Sequence, residues 1–247
     1  MADFDAILFD AGGVLVVPTP VVVRPVLASF GAEPDDATLV RAHFVAAHAM
    51  DHARLEGEQD GEPDGERVAW TRYHQAYVAA AAVPPDRQRA ATAAFAERLD
   101  HWTWCHPVPG ALDTLAALSA RGVPIGVVSN AGGQVQAELA RLGMCRIAAT
   151  EGADPGGVLV ACVVDSTVVG VSKPDPAIFA PALAAIGLPA SPRVAYIGDT
   201  VTYDVHGAHA AGLSPVLHDP SGLHAADPHP SMPYRTITRL EDLLGMV

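Results

Sequence analysis

Four short stretches of this chain bring together side chains able to do chemistry, each at the end of an apolar run that reads as a β-strand. Asp10 follows Phe4–Phe9, and Ser129 and Asn130 finish Val123–Ser129. Lys173 follows the valine-rich stretch Val168–Val171, and Asp199 and Asp204 follow Arg193–Ile197. Any one acid after a strand is commonly a helix cap. Three acids, an amine and a hydroxyl on one edge of a sheet make a site, because open α/β sheets bind ligands outside the carboxyl ends of their strands. Carboxylates with oxygen-only company suit Mg²⁺ rather than zinc. An ammonium with small donors nearby suits a phosphate group.

The amine stands out. The chain has fourteen arginines and a single lysine, Lys173. Composition bounds the rest. The 247 residues are half hydrophobic and only 17% charged, enough for a large core. A formal net charge of −13 argues against nucleic acid or an anionic membrane as partner, since both need a basic face. Three scattered cysteines, Cys105, Cys145 and Cys162, make neither a disulfide frame nor a zinc knuckle. The acidic start MADFDAILFD is unlike a signal peptide, and the longest apolar runs, such as Val158–Val164, are far shorter than a membrane span. The expectation is a soluble, cytoplasmic protein whose oligomeric state stays open.

The elements that position these groups follow from periodicity. After the first strand come Asp10-Ala-Gly-Gly and then alanine-rich helices at Asp36–Leu55, Glu66–Ala82 and Pro85–Leu99, with an acidic loop, Glu56–Gly65, between the first two. After Pro107-Val-Pro-Gly, strand and helix alternate. Helices are expected at Ala111–Ala120, Gln134–Leu142, Pro176–Ile186 and Tyr203–Ala211. Strands are expected at Val123–Ser129, Arg193–Ile197 and Ser214–Leu217, with Val158–Val164 placed in a hairpin and Asp219–Pro233 as an irregular surface tail. Alternation of this kind means βαβ crossovers and a parallel sheet. The fold class is therefore α/β, a Rossmann-like doubly wound parallel sheet with an inserted α-helical subdomain.

Phe-Asp-Ala-Gly-Gly-Val-Leu, Val-Val-Ser-Asn, Ser-Lys-Pro-Asp-Pro-Ala-Ile-Phe and Ile-Gly-Asp-Thr-Val-Thr-Tyr-Asp resemble, in order, the four motifs of the haloacid dehalogenase superfamily. The last two are the specific ones. The resemblance implies a core of residues 1–17 and 105–247 and a mobile helical cap of residues 18–104. It also implies Mg²⁺ and a small phosphorylated substrate. Asp10 would be the nucleophile that forms an aspartyl-phosphate. The metal would be held by Asp10, Asp199 and the Gly12 backbone carbonyl, with Asp204 on a bound water or on Lys173. Ser129 and the Asn130 amide would hold phosphate oxygens, and Lys173 would pair with both the nucleophile and the phosphoryl group.

One position departs from the pattern. The family's phosphatases carry a second Asp two residues after the nucleophile as general acid and base, and here that position is Gly12. Its loss removes proton transfer typically worth about 10²–10⁴-fold. Three readings stay open: a phosphatase that manages without the acid, a haloacid dehalogenase, and a catalytically weak member that binds a phosphorylated ligand or partner. Phosphonate cleavage needs a second lysine, in the cap, and the chain has none. On the Asp36–Leu55 wheel, Arg41, Phe44, His48 and His52 share a face that could close over the site, or could be solvated. His206 and His209 are expected at the surface or behind the site residues, and Trp102-Thr-Trp-Cys as packing at the hinge or as lining of the substrate pocket.

Overall fold

The computed structural model describes residues 3–60, 65–147, 156–226 and 232–247. Its elements begin with β1 (Ala6–Phe9), β2 (Val16–Pro18), α1 (Pro20–Ala28), α2 (Asp36–Asp60), α3 (Gly65–Ala80), α4 (Gln88–Arg98) and β3 (Trp104–Pro107). There follow α5 (Ala111–Ala120), β4 (Ile125–Ser129), α6 (Val135–Arg141), β5 (Cys145–Ile147), β6 (Val158–Val160), β7 (Val163–Asp165) and α7 (Ser166–Val169). The chain ends with α8 (Ala180–Ile186), β8 (Val194–Gly198), α9 (His206–Ala210), β9 (Ser214–His218) and β10 (Arg235–Ile237). It divides into a sheet unit, Met1–Val16, Pro107–His218 and His229–Val247, and a helical unit, Val17–His106 with Asp219–Pro228.

In the sheet unit six parallel strands run in the order β10-β9-β8-β1-β4-β7. β1 and β8 are buried throughout, as strands covered on both faces must be. From β1 the chain builds outward through β4 to β7, then returns to the other flank of β1 with β8. The carboxyl end of β1 is thus the point where strand order reverses, the usual ligand crevice of such sheets. Asp10 is the next residue after that strand. One apolar layer packs Leu8, Val128 and Tyr196 against Ile178, Phe179 and Ala182.

Several sequence expectations change. The run Val158–Val164 is not a hairpin, because β6 pairs with β5 and β7 with β4. Val168 and Val169 lie in the short helix α7 and are exposed, so valine content there reflects no strand. The expected helix Pro176–Ile186 opens as a 3-10 turn, Pro176–Phe179, because Pro181 lacks the amide that a regular helix starting at Pro176 would need to bond back to Ala177. The expected Tyr203–Ala211 helix starts earlier, as a π turn at Val201–Val205 that carries Asp204. Strands β2, β3 and β10 and helix α1 were not anticipated.

In the helical unit, α2 is capped by Asp35, whose carboxylate accepts from the Thr38 amide at 2.8 Å. It runs on to Asp60, into the segment expected as an acidic loop; Gly61–Asp64 lie outside the described residues. His43 is buried and shares a 2.9 Å hydrogen bond with the Tyr73 hydroxyl, a core histidine. On the other face Arg41 is exposed and Phe44 buried. His48 and His52 are half-buried and their rings contact each other at a tilt, with centroids 4.4 Å apart. That face is therefore not simply solvated.

The segment after β9 is no surface tail in its described part; residues 227–231 lie outside the described residues. Asp219 and His224 are buried in the helical unit. Asp219 accepts from the Leu223 and His224 amides, while His224 Nε2 lies 3.3 Å from Asp51 on α2 and its ring contacts His48. Burial pushes the His224 pKa down, but hydrogen bonds and charge from Asp219 and Asp51 outweigh it and hold it at about 9. Because the folded value is raised, the stabilisation is complete below the unfolded pKa of about 6.5 and is lost as pH rises through about 9. His224→Gln should therefore melt several degrees below the wild-type protein near pH 6, with the gap shrinking by pH 10, as thermal unfolding across pH would record. A gap independent of pH would mean that His224 docks this segment without its charge.

Candidate active site

The site is built where the first strand stops. The Asp10 amide continues the ladder to Ile197 at 2.8 Å, and one Asp10 oxygen accepts from the Ala11 amide at 2.7 Å. The other oxygen faces Lys173 Nζ at 2.7 Å. Gly13, not Gly12, holds a positive φ of 69°, and a Cβ there would lie 2.0 Å from Asp199 Oδ2. Only glycine lets the turn after Asp10 pass so close to that acid. His218, at the end of β9, donates from Nδ1 to the Gly13 carbonyl at 3.1 Å.

Lys173 is pinned at both ends. The Asn130 side chain clamps its backbone, accepting from the Lys173 amide at 2.8 Å and donating to its carbonyl at 3.1 Å. Its ammonium is buried and contacts Asp10, Asp204 Oδ1 at 2.6 Å and the Tyr196 hydroxyl at 2.8 Å. Asp204 Oδ2 accepts from the Asp199 and Thr200 amides and from the Thr200 hydroxyl, so both its oxygens are occupied. Gly198 permits this: a Cβ there would lie 2.2 Å from Asp204 Cβ.

Ser129 ends β4, next to β1, and is buried. It pairs in register with Asp165, an acid the sequence reading passed over. Asp165 organises the loop beyond Ser129 by accepting from the Gly133 amide at 2.8 Å and the Thr167 amide at 3.0 Å. Tyr196 was also missed, hidden in an apolar strand, although a buried tyrosine needs a partner for its hydroxyl. Asp10, Asp199, Asp204 and Lys173 are thus brought together, with Asn130 acting on the Lys173 backbone. Arg41, His48 and His52 belong to the helical unit.

Electrostatically the site is short of positive charge. Asp10, Asp199 and Asp204 each present an oxygen within 4.8 Å of the others, and Lys173 is their cation. Burial pushes the Asp10 pKa up, Lys173 draws it down, and Asp204 and Asp199 raise it again, to about 7. Burial lowers the Lys173 pKa, but Asp10 and Asp204 overcome that and raise it. Three buried carboxylates around one ammonium, with oxygen-only donors, fit a hard divalent cation such as Mg²⁺.

The model of one family, described as haloacid dehalogenase-like hydrolase, matches residues 4–212. The ribulose-1,5-bisphosphate 5-phosphatase of Halopiger xanaduensis is 36% identical over 115 residues, covering 46% of this chain and 43% of that protein. The match therefore spans less than half the length of this curated relative. Among solved structures, the Bacillus subtilis protein YfnB, described as a HAD-hydrolase bound to magnesium, superposes with a TM-score of 0.59 at 18% identity over 98% of both chains. The 2-haloacid dehalogenase of Pseudomonas syringae pv. Tomato DC3000 superposes with a TM-score of 0.53 at 20% identity, over 98% of this chain and 97% of its own. At these identities the superpositions establish the fold. The family model covers most of the chain and its motif residues converge at one strand edge: the protein belongs to the haloacid dehalogenase-like hydrolases.

Proposed function

We propose that the protein is a cytoplasmic, Mg²⁺-dependent phosphate monoester hydrolase that acts through an aspartyl-phosphate on a small phosphorylated metabolite. The observation that carries this reading is the cluster of Asp10, Asp199 and Asp204 around Lys173. A site that releases a halide anion gains nothing from extra negative charge, whereas a phosphatase uses it to hold a cation. The phosphatase among the relatives points the same way.

Asp10 attacks phosphorus while Lys173 favours its ionised form and orients the carboxylate. Asp10, Asp199 and the Gly12 carbonyl would hold the Mg²⁺, which when bound supplies the positive charge that lets one anion approach another. Asp204 has both oxygens engaged by Lys173 and the Asp199–Thr200 backbone, so we assign it to positioning. Ser129 and the Asn130 amide receive phosphoryl oxygens, while the Asn130 side chain sets the Lys173 loop. The helical unit takes the part of the cap that selects substrate.

Gly12 leaves the leaving group without its usual acid. Esters with good leaving groups, such as p-nitrophenyl phosphate, should react much faster than alkyl phosphates, because their departure needs little protonation. Gly12→Asp should narrow the gap in kcat/KM, which reports the phosphorylation of Asp10 and not the second step, between the two ester classes by about 10²-fold. Equal rates on both classes in the wild-type protein would mean that another group supplies the proton. No turnover of any ester by either protein, with phosphate still bound, would favour the binding-protein reading that Gly12 also invites.

A further inference from the structure

Two adjacent glycines, Gly12 and Gly13, form the tip of the loop after β1, and glycine carries no side chain with which to anchor itself. The loop is closed at its base, where the Leu15 and Val16 amides both donate to the Ala11 carbonyl at 2.9 Å. Its tip is held through the backbone of Gly13. The Gly13 amide donates to the Val16 carbonyl at 2.8 Å, and its carbonyl accepts from His218 Nδ1 at 3.1 Å. A carbonyl can only accept, so Nδ1 must carry the proton that makes this bond. His218 is buried and ends β9, in register with Ile237 of β10, while its neighbour Leu217 packs on Val201 and Val205. The imidazole therefore reaches from a fixed strand, across the end of β8, to the loop that follows Asp10.

That bond bears on the cation site. The peptide between Gly12 and Gly13 is trans, so the Gly12 carbonyl points away from the Gly13 amide and from Val16. Gly13 itself lies against Asp199, so close that a Cβ would be 2.0 Å from its Oδ2. Fixing both peptide groups of Gly13 thus fixes the Gly12 carbonyl relative to Asp199, and these are two of the donors proposed for Mg²⁺. We propose that His218 is a positioning residue for the metal: its Nδ1–H holds the Gly-Gly tip so that the Gly12 carbonyl and Asp199 serve one ion. The proposal rests on the Mg²⁺ reading given above. Without that bond the tip samples the wide range of backbone angles open to two glycines, and the ion must order the site before it can bind.

Side-chain chemistry supplies the test. Asparagine places its amide N–H where Nδ1 stands, glutamine places it nearer Nε2, and leucine has none. In calorimetric titration with Mg²⁺ and no substrate, His218→Leu should bind about ten- to a hundredfold more weakly than the wild-type protein. His218→Asn should recover most of that loss. Ile237→Val, which loosens the strand beside His218 without touching the bond, should lower the melting temperature of the metal-free protein and leave its Mg²⁺ affinity alone. Wild-type affinity in a folded His218→Leu would overturn the proposal. So would a His218→Asn as weak as His218→Leu, or an equal loss in Ile237→Val. If the leucine variant fails to fold, His218→Gln takes its place against His218→Asn, with the same expected and contrary results. A wild-type protein that binds no Mg²⁺ would overturn the metal reading and this proposal together. One that binds Mg²⁺ but hydrolyses no ester fails as a phosphatase alone, and the calorimetric comparison still decides the part of His218.

Discussion

Asp10→Asn should lower turnover of a phosphate ester by roughly 10⁴-fold or more while leaving the fold intact. The amide keeps an oxygen for the Ala11 amide and nearly the same volume, so the turn after β1 has no reason to rearrange. The Lys173 ammonium loses one anion but keeps Asp204 and Tyr196, so the buried charge is not stranded. What disappears is the attacking carboxylate, and no other carboxylate replaces it, because Asp204 has both oxygens engaged. Steady-state kinetics alongside thermal unfolding checks this. Substantial activity in the folded variant would remove Asp10 from the chemistry.

Asp199→Ala should abolish Mg²⁺ binding and turnover together, with kcat/KM down by at least about 10³-fold. Asp199 presses against Gly13 and stands within 4.8 Å of Asp10 and Asp204, so its loss removes one side of the acidic cluster. Calorimetric titration with Mg²⁺ reads the binding without substrate. Unchanged affinity in the variant would place the metal elsewhere.

How much of this was visible beforehand depended on the range of the interactions. Strand-end chemistry is local, so Asp10, Ser129, Asn130 and Asp199 could be picked out by the strands that precede them. Lys173 follows the short helix α7 and Asp204 lies in the π turn beyond β8, and these two were legible from the lone lysine and from motif spacing. The parallel sheet followed from alternation alone. Tyr196 was not visible, because its role depends on Lys173, Asp204 and Val128, which lie on three other segments of the chain. Asp165 was equally hidden, since its partners Gly133 and Val135 lie some thirty residues away. The buried Asp219 and His224 read as surface residues because polar sequence normally is, and only pairing across 173 residues with Asp51 overturns that. The early start of the helix after Asp199 is also non-local: Asp204 must turn back to reach the Asp199 and Thr200 amides, and a π turn does so.

The central claim is that Asp10 becomes phosphorylated during turnover. Gly12 makes this unusually accessible, because the residue that would activate water for the second step is missing and the intermediate should accumulate with a good leaving group. Acid-quenching the protein during Mg²⁺-supported turnover of p-nitrophenyl phosphate, followed by peptide mass mapping, is the direct measurement. The expected result is one added phosphoryl group on the peptide containing Asp10, absent without Mg²⁺ and absent in Asp10→Asn. Phosphate release with no phosphorylated protein, or with the phosphoryl group on another residue, would contradict it.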